Sequence, residues 1–242
     1  MRFAVISDIH GNLHALDSVL ADIDAAGADE IWCLGDVVGY GPRPNECADI
    51  VRERSDVVLV GNHDLAAVGS LSTAEFGPLA SLSAVWTAAE LTAPNAAWLR
   101  SLGPETARPG AELYHGSPRD PVWEYVLSEE VAHACLLETS APVVLVGHSH
   151  LALALLLAGD GVDGGLAPGG TEVDLGRGRF LLNPGSVGQP RDGDPRAAWL
   201  SIDADAKRAS FRRVPYPIER TLAEMRERDL PEPLAARLAQ GV

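Results

Sequence analysis

The chain has 242 residues, 46% of them hydrophobic and 22% charged, enough to build a substantial core. Its formal net charge of −15 argues against a broad nucleic-acid-binding face, which needs a basic footprint. Its three cysteines, Cys33, Cys47 and Cys135, form no C-x-x-C pair, so neither a disulfide framework nor a thiolate zinc site is indicated.

Met1-Arg2-Phe3 leads straight into the first strand pattern, with no apolar stretch and cleavage site, so a cytoplasmic protein is expected. Phe3–Ile6, Ile31–Leu34 and Val57–Val60 are short apolar runs suited to strands buried on both faces. Between the first two, Leu13, Leu16, Val19, Leu20 and Ile23 recur at helical spacing, and Gly27 ends that helix. A second helix is expected from Pro44 or Asn45 through Val51. Strands separated by helices imply parallel pairing. Residues 65–102 interrupt the alternation with two helices, near 78–91 and 94–101, forming either a cap beside the site or a crossover on one sheet face. The crossover reading is favoured. Further strands are predicted at 111–115, 143–147, 151–158, 172–175, 179–183, 197–203 and 208–214. A helix is predicted at 128–139, one or two more after Ile218, and a mobile hairpin tip at 159–170. Leu151–Ala158 is very apolar but too short to span a bilayer, so no membrane association is expected.

Five short motifs follow these strand patterns: Asp8-Ile9-His10, Gly35-Asp36, Gly61-Asn62-His63-Asp64, His115-Gly116 and Gly147-His148-Ser149-His150. Ligands in such sheets bind beyond the carboxyl ends of the strands. In an extended chain Asp8 and His10 point the same way and can reach one cation, as can the alternating pair His148 and His150. Imidazole with carboxylate suits manganese, iron, zinc, nickel or cobalt better than calcium or magnesium. Asp36 has two oxygens and can bridge two cations, while Asn62 offers a neutral oxygen. Asp8, His10, Asp36, Asn62, His115, His148 and His150 thus give two divalent transition-metal ions four contacts each, with Asp36 shared. Such a pair suits in-line attack at phosphorus.

The ordered set resembles the calcineurin-like metallophosphoesterase superfamily, whose pattern is D-x-H, G-D, G-N-H-[DE], a later His and G-H-x-H. Residues 35–42 (GDVVGYGP) and 183–191 (NPGSVGQPR) resemble a bacterial and archaeal phosphodiesterase-type branch. The resemblance covers nearly the whole chain. It implies a single α/β domain over 1–242, a four-layer α/β/β/α sandwich of two mixed sheets with outer helices. It implies one metal on Asp8, His10, Asp36 and His150, and another on Asp36, Asn62, His115 and His148, with manganese the favoured ion. A metal-bound hydroxide is then the nucleophile, and the substrate is a small-molecule or nucleotide phosphoester rather than a nucleic-acid polymer. His63 is not a ligand on this reading; it is the catalytic residue, facing the substrate as a cation or general acid. The chain departs from protein-phosphatase members after Gly35-Asp36, where Val37-Val38-Gly39-Tyr40-Gly41 has neither their acidic residue nor their arginine. The residue that would orient His63 is therefore missing, and Asp64 is the one substitute at hand.

Three further residues are substrate-binding candidates: Asn12 at a helix start, and Arg119 and Arg191 as bidentate phosphate partners. For Arg191 the alternative is a salt bridge to Asp192 or Asp194. Residues 183–186 form either part of the site or a structural corner. His14, His133, Trp86 and Trp98 read as surface or core positions. The competing functions are a Ser/Thr-type protein phosphatase, a dinucleoside-polyphosphate hydrolase, and a non-catalytic metal-binding scaffold.

Overall fold

The computed structural model describes residues 1–242. Its strands are β1 (Arg2–Ile6), β2 (Glu30–Cys33), β3 (Val57–Val58), β4 (Glu105–Arg108), β5 (Ala111–Tyr114), β6 (Val143–Leu145), β7 (Ala152–Ala158), β8 (Gly161–Leu166), β9 (Glu172–Asp174), β10 (Phe180–Pro184), β11 (Ala197–Asp203) and β12 (Arg208–Val214). Its helices are α1 (Leu13–Ala26), α2 (Pro44–Arg54), α3 (Asn62–Ala67), α4 (Pro78–Glu90), α5 (Ala93–Arg100), α6 (Glu129–Glu138), α7 (Ile218–Glu227) and α8 (Glu232–Gln240). The strands form two mixed six-stranded sheets, β3-β2-β1-β11-β12-β9 and β4-β5-β6-β10-β7-β8. β1, β2 and β3 pair in parallel, as do β5, β6 and β10. The remaining neighbours are antiparallel.

The pleat explains why the central strands are apolar on both faces. In β1, Ala4 and Ile6 pack under α1 and α2, while Val5 turns toward the other sheet. In the next strand region Ile31 and Cys33 face the helices, and Trp32 and Leu34 face the second sheet. That sheet repeats the arrangement: Val143 and Leu145 point inward, and Val144 and Val146 pack against Cys135 and Leu136 of α6. The result is helix, sheet, sheet, helix, with a dry core between the sheets.

Several elements depart from the sequence expectations. The 159–170 segment is not a long tip, because Gly161–Leu166 pairs with β7 along its length from Ala158↔Gly161 to Leu153↔Leu166. Backbone hydrogen bonds there override a glycine-rich composition. β4 had no strand signature, and β3 stops at Val58 because Val60 donates to the Gly103 carbonyl instead of a strand partner. Within 65–102, α5 contributes Ala96, Trp98 and Leu99 to the core under the first sheet, whereas Glu75–Ala80 line a cavity beside the motifs. α7 and α8 pack Leu222, Met225, Leu234 and Leu238 against Tyr40 and Leu79 at that same end. No helix is long and apolar enough to cross a membrane.

Candidate metal centre

All five motifs lie just past the carboxyl ends of β1, β2, β3, β5 and β6, where the two sheets meet. The first sheet delivers Asp8, His10, Asp36, Asn62 and His63; the second delivers His115, His148 and His150. All eight are at most 5% exposed.

The chain reaches this geometry by bending, not by extended alternation. β1 ends at Ile6, and Asp8 and His10 have φ of 54° and 50°. His148 and His150 stand at 62° and 60°, and Asp36 at 51°. Of the eight non-glycine residues with left-handed φ, these five and Tyr40 border the site. Each such residue costs on the order of 1–3 kcal/mol and persists only where its surroundings fix it. Those surroundings are visible. Asp8 N–H donates to Gly35 O (3.0 Å), and His10 N–H to Asp36 O (2.9 Å). Asn183 donates to Gly147 O (2.7 Å), and Ser186 Oγ to Asp8 O (2.7 Å). The 183–186 turn is thus the structural corner that ties β10 to both D-x-H and G-H-x-H. Gly61 is required because a Cβ there would overlap the Asp36 carboxylate.

Backbone carbonyls settle the tautomer of three rings. Nδ1 of His10 lies 3.1 Å from Val38 O, Nδ1 of His115 2.9 Å from Leu34 O, and Nδ1 of His150 2.6 Å from Gln189 O. Each Nδ1 carries the donated hydrogen, so each Nε2 presents a lone pair. Yet His10 Nε2 and His150 Nε2 face one another at 3.0 Å. His115 Nε2 likewise faces the Asn62 side-chain oxygen at 3.1 Å. Asp36 Oδ2 stands 3.7 Å from His10 Nε2 and 3.6 Å from His115 Nε2, between the two groups. Asp8 Oδ1, Asp36 Oδ2 and His148 Nε2 are buried without any hydrogen-bond partner. Acceptors crowded together with no donor among them repel one another, and a cation is what relieves that. Ligand atoms of Asp8, His10 and His150 all lie within 4.8 Å of one another, and so do those of Asp36, His115 and His148. Either triad can hold a metal ion.

The ionisation pattern has the same cause. Burial pushes the Asp8 carboxyl up to about 7 and Asp36 well above its usual range, the latter helped by the nearby Asp64 carboxylate. Burial holds His10 and His150 far below 6.5 and His148 down to about 2. His63 is held down to about 3 by burial first, then by the positive charge of Arg191 and by His115, so its ring is neutral near pH 7.

His63 stands in the first turn of α3, its amide donating to Asp36 Oδ1 at 2.9 Å. Its ring Nδ1 has no partner. Asp64 does not orient it: that carboxylate accepts from the amides of Gly61 (3.1 Å), Val37 (3.2 Å) and Val38 (2.9 Å), fixing the Asp36 loop. His63 is positioned instead by packing between Tyr40 (4.4 Å between ring centres) and Phe76 (4.8 Å).

The three substrate-binding candidates separate. Arg191 lines the cavity with Asn62 and His63. Neither neighbouring acid pairs with it, since Asp192 pairs with Arg213 and Asp194 with Arg196. Asn12 is a correction: its amide caps α1 through Ala15 N, accepts from Thr221 Oγ1, and donates to Gly188 O and Tyr216 OH, so nothing is left for a phosphate. Arg119 lies outside the cavity lining, 43% exposed, with its guanidinium 3.3 Å from Glu124. Sequence reasoning missed Tyr40, Phe76, Trp123 and Tyr125, which wall the cavity. Tyr40 lies inside the GDVVGYGP block. The other three stand in irregular segments, where no periodicity marks them.

Known proteins share the fold and the sequence of this chain. A metallophosphoesterase from Sphaerobacter thermophilus superposes with a TM-score of 0.91 at 42% identity, covering 100% of this chain and 99% of its own. A hypothetical protein from Pyrococcus horikoshii shares the fold (TM-score 0.83, 20% identity, 100% and 98% coverage). In sequence, an uncharacterized protein of Methanocaldococcus jannaschii is 35% identical over 98% of this chain and 97% of its own length. A symmetrical bis(5'-nucleosyl)-tetraphosphatase from Actinobacillus pleuropneumoniae is 31% identical over 61% of this chain, which spans 54% of that enzyme. Two mixed sheets with a histidine–carboxylate cluster at their shared end define a metal-binding phosphoesterase. The chain belongs to the calcineurin-like phosphoesterase superfamily, whose domain model matches residues 1–205, and it is a phosphoester hydrolase.

Proposed function

We propose that this single domain hydrolyses a phosphate mono- or diester of a small molecule or nucleotide, at a site holding two divalent cations. The observation that carries the reading is the apposition of lone pairs, His10 Nε2 against His150 Nε2 and Asp36 Oδ2 between His10 and His115. Asp8, His10, Asp36 and His150 would hold one ion; Asp36, Asn62, His115 and His148 would hold the other. Imidazole-rich donors with carboxylates favour manganese, and iron, zinc, nickel and cobalt also fit. The three unpaired buried cysteines suit a reducing cytoplasm. When bound, two such cations polarise phosphoryl oxygens and bring the pKa of water toward about 7, which supplies the nucleophile.

The chain's own groups do the rest. Arg191, bound to Gln189 Oε1 at 2.8 Å, turns its guanidinium to the phosphoryl oxygens. His63, neutral and without a protein partner on its ring, donates a hydrogen bond to the leaving-group oxygen. The ordinary protein-phosphatase arrangement is disfavoured, since no carboxylate touches the His63 ring. A dinucleoside-polyphosphate substrate remains a special case of the nucleotide reading, supported by the bis(5'-nucleosyl)-tetraphosphatase relative.

The test is turnover of p-nitrophenyl phosphate and bis-p-nitrophenyl phosphate with manganese, nickel, cobalt, iron and zinc. Absence of turnover with all five ions speaks for the non-catalytic scaffold. His63→Ala is expected to keep its metal content and lose roughly 10²–10⁴ in rate, most for poor leaving groups. Loss of metal in that variant would make His63 a ligand.

A further inference from the structure

The cavity that opens from the metal centre measures about 810 Å³, far more than a phosphate group needs. Sites of about 300–1,000 Å³ hold drug-sized molecules. Its walls are aromatic on both flanks. On one side His63 leads to Phe76 (4.8 Å between ring centres, 45°), and Phe76 meets Trp123 edge-on (5.4 Å, 86°). On the other, Tyr125 stacks on the ring of His148 at 3.8 Å and 20°. Phe76, Trp123 and Tyr125 belong to none of the four hydrophobic clusters that build the fold. Rings that do not serve the core, lining a wet cavity next to a reactive centre, are placed for contact with something that enters.

The polar groups around these rings narrow the class of ligand. Arg191 stands at the inner end and Arg237 at the outer rim, and in a chain of net charge −15 neither forms an ion pair with a carboxylate. Glu75, at the same rim, adds an acceptor. The lining therefore combines an arginine free to bind an anion, an aromatic wall, and two exposed groups, one donor and one acceptor. A phosphate, a planar heterocycle and a polar base or sugar edge match it in that order. A purely aliphatic alcohol would leave the wall unused.

We infer that Phe76 and Trp123 form a stacking platform for a nucleobase, which makes the substrate a nucleotide-type phosphoester and these two residues its specificity determinants. The inference rests on the proposed hydrolase reading and deepens it. Stacking of a base on an aromatic side chain is sequence-tolerant and depends on ring area. Replacing both rings with leucine keeps an apolar wall and removes the stacking faces.

The experiment compares binding of AMP with binding of ribose 5-phosphate, each as its non-hydrolysable phosphonate analogue, by calorimetry, to the manganese-loaded protein. The two ligands share the phosphate and sugar and differ by the base. Wild type is expected to bind AMP at least about tenfold more tightly, equivalent to about 1.4 kcal/mol. In Phe76→Leu/Trp123→Leu that ratio is expected to fall to about one, with each single variant between; circular dichroism melting verifies that the variants are folded. Equal affinities in wild type overturn the platform, as does a double variant that retains the discrimination. The two readings fail separately. Wild type that cleaves p-nitrophenyl esters yet binds both ligands alike keeps the hydrolase reading and loses the platform. Wild type that cleaves neither ester but still prefers AMP through these two rings loses the hydrolase reading and keeps the base site.

Discussion

The inner and outer parts of the same opening are built on opposite principles. At the inner end every proposed ligand is buried, five of the seven are in left-handed backbone, and the loops are cross-tied by hydrogen bonds donated by Asn183 and Ser186 and accepted by Asp64. At the outer end Phe76 and Trp123 are half-buried and meet edge-on, and Tyr125 is 42% exposed. The difference follows from the work each part does. Charge stabilisation falls off when donors shift by a fraction of an ångström, so the inner groups are held rigidly. Selecting a planar group needs area rather than fixed geometry, so an adaptable wall suffices.

The largest expected effect comes from removing the charge that stands between the two histidine groups. Asp36→Asn keeps an oxygen for the His63 amide but loses the carboxylate, and hydrolysis should fall at least ~10³-fold with loss of bound metal. The metal-free variant should melt no lower than wild type, because a buried carboxylate with an elevated pKa is a liability when no cation accompanies it. Retention of both metal and activity would detach Asp36 from the centre.

A second test uses pH. Asp8 titrates at about 7 in the fold against an ordinary 3.8. The folded state therefore binds this proton more tightly, and the metal-free protein loses that stabilisation as pH rises from 3.8 through about 7. The depressed histidines act oppositely, withdrawing stability as pH falls below 6.5. Cation binding needs the Asp8 carboxylate, whereas those imidazoles are already neutral. Apparent manganese affinity should thus rise about tenfold per pH unit for each proton displaced, the Asp8 contribution ending above about 7 and the raised Asp36 carboxyl adding its own. Calorimetry across pH 5–8 measures it, and a flat profile would remove Asp8 from the ligand set.

The smallest effect on catalysis is expected at Asn12. Asn12→Ala removes four buried hydrogen bonds, the α1 cap among them, so stability should drop by about 2–3 kcal/mol while kcat changes only a few-fold. A denaturant melt with parallel kinetics separates the two; a rate loss as large as that of His63→Ala would return Asn12 to the substrate.

The four layers were readable because β1, β2 and β6 are apolar on both faces, and the metal-ligand motifs because they are short and contiguous. β8 was hidden, since Gly164 and Gly165 carry no strand signature and pairing with β7 alone makes them a strand. Asp8 and His10 were assigned a common direction on the premise of an extended strand; the common direction comes instead from two left-handed residues after β1 has ended. Asp64 was the natural partner for His63 by adjacency, yet the helical turn of α3 sends it to the amides of Gly61, Val37 and Val38.

The sequence by itself determined which atoms are available: carboxylates and imidazoles at strand ends, in an order that names the superfamily and the reaction at phosphorus. Those are properties of contiguous residues, and local chemistry is written in contiguous residues. Only the tertiary structure decided that Asp36 lies between the two histidine groups, that His63 is neutral, and that Phe76 and Trp123 stand at the mouth. Each of these depends on burial or on approach between segments distant in the chain. Burial and approach are set by how the two sheets pack, which no single segment carries.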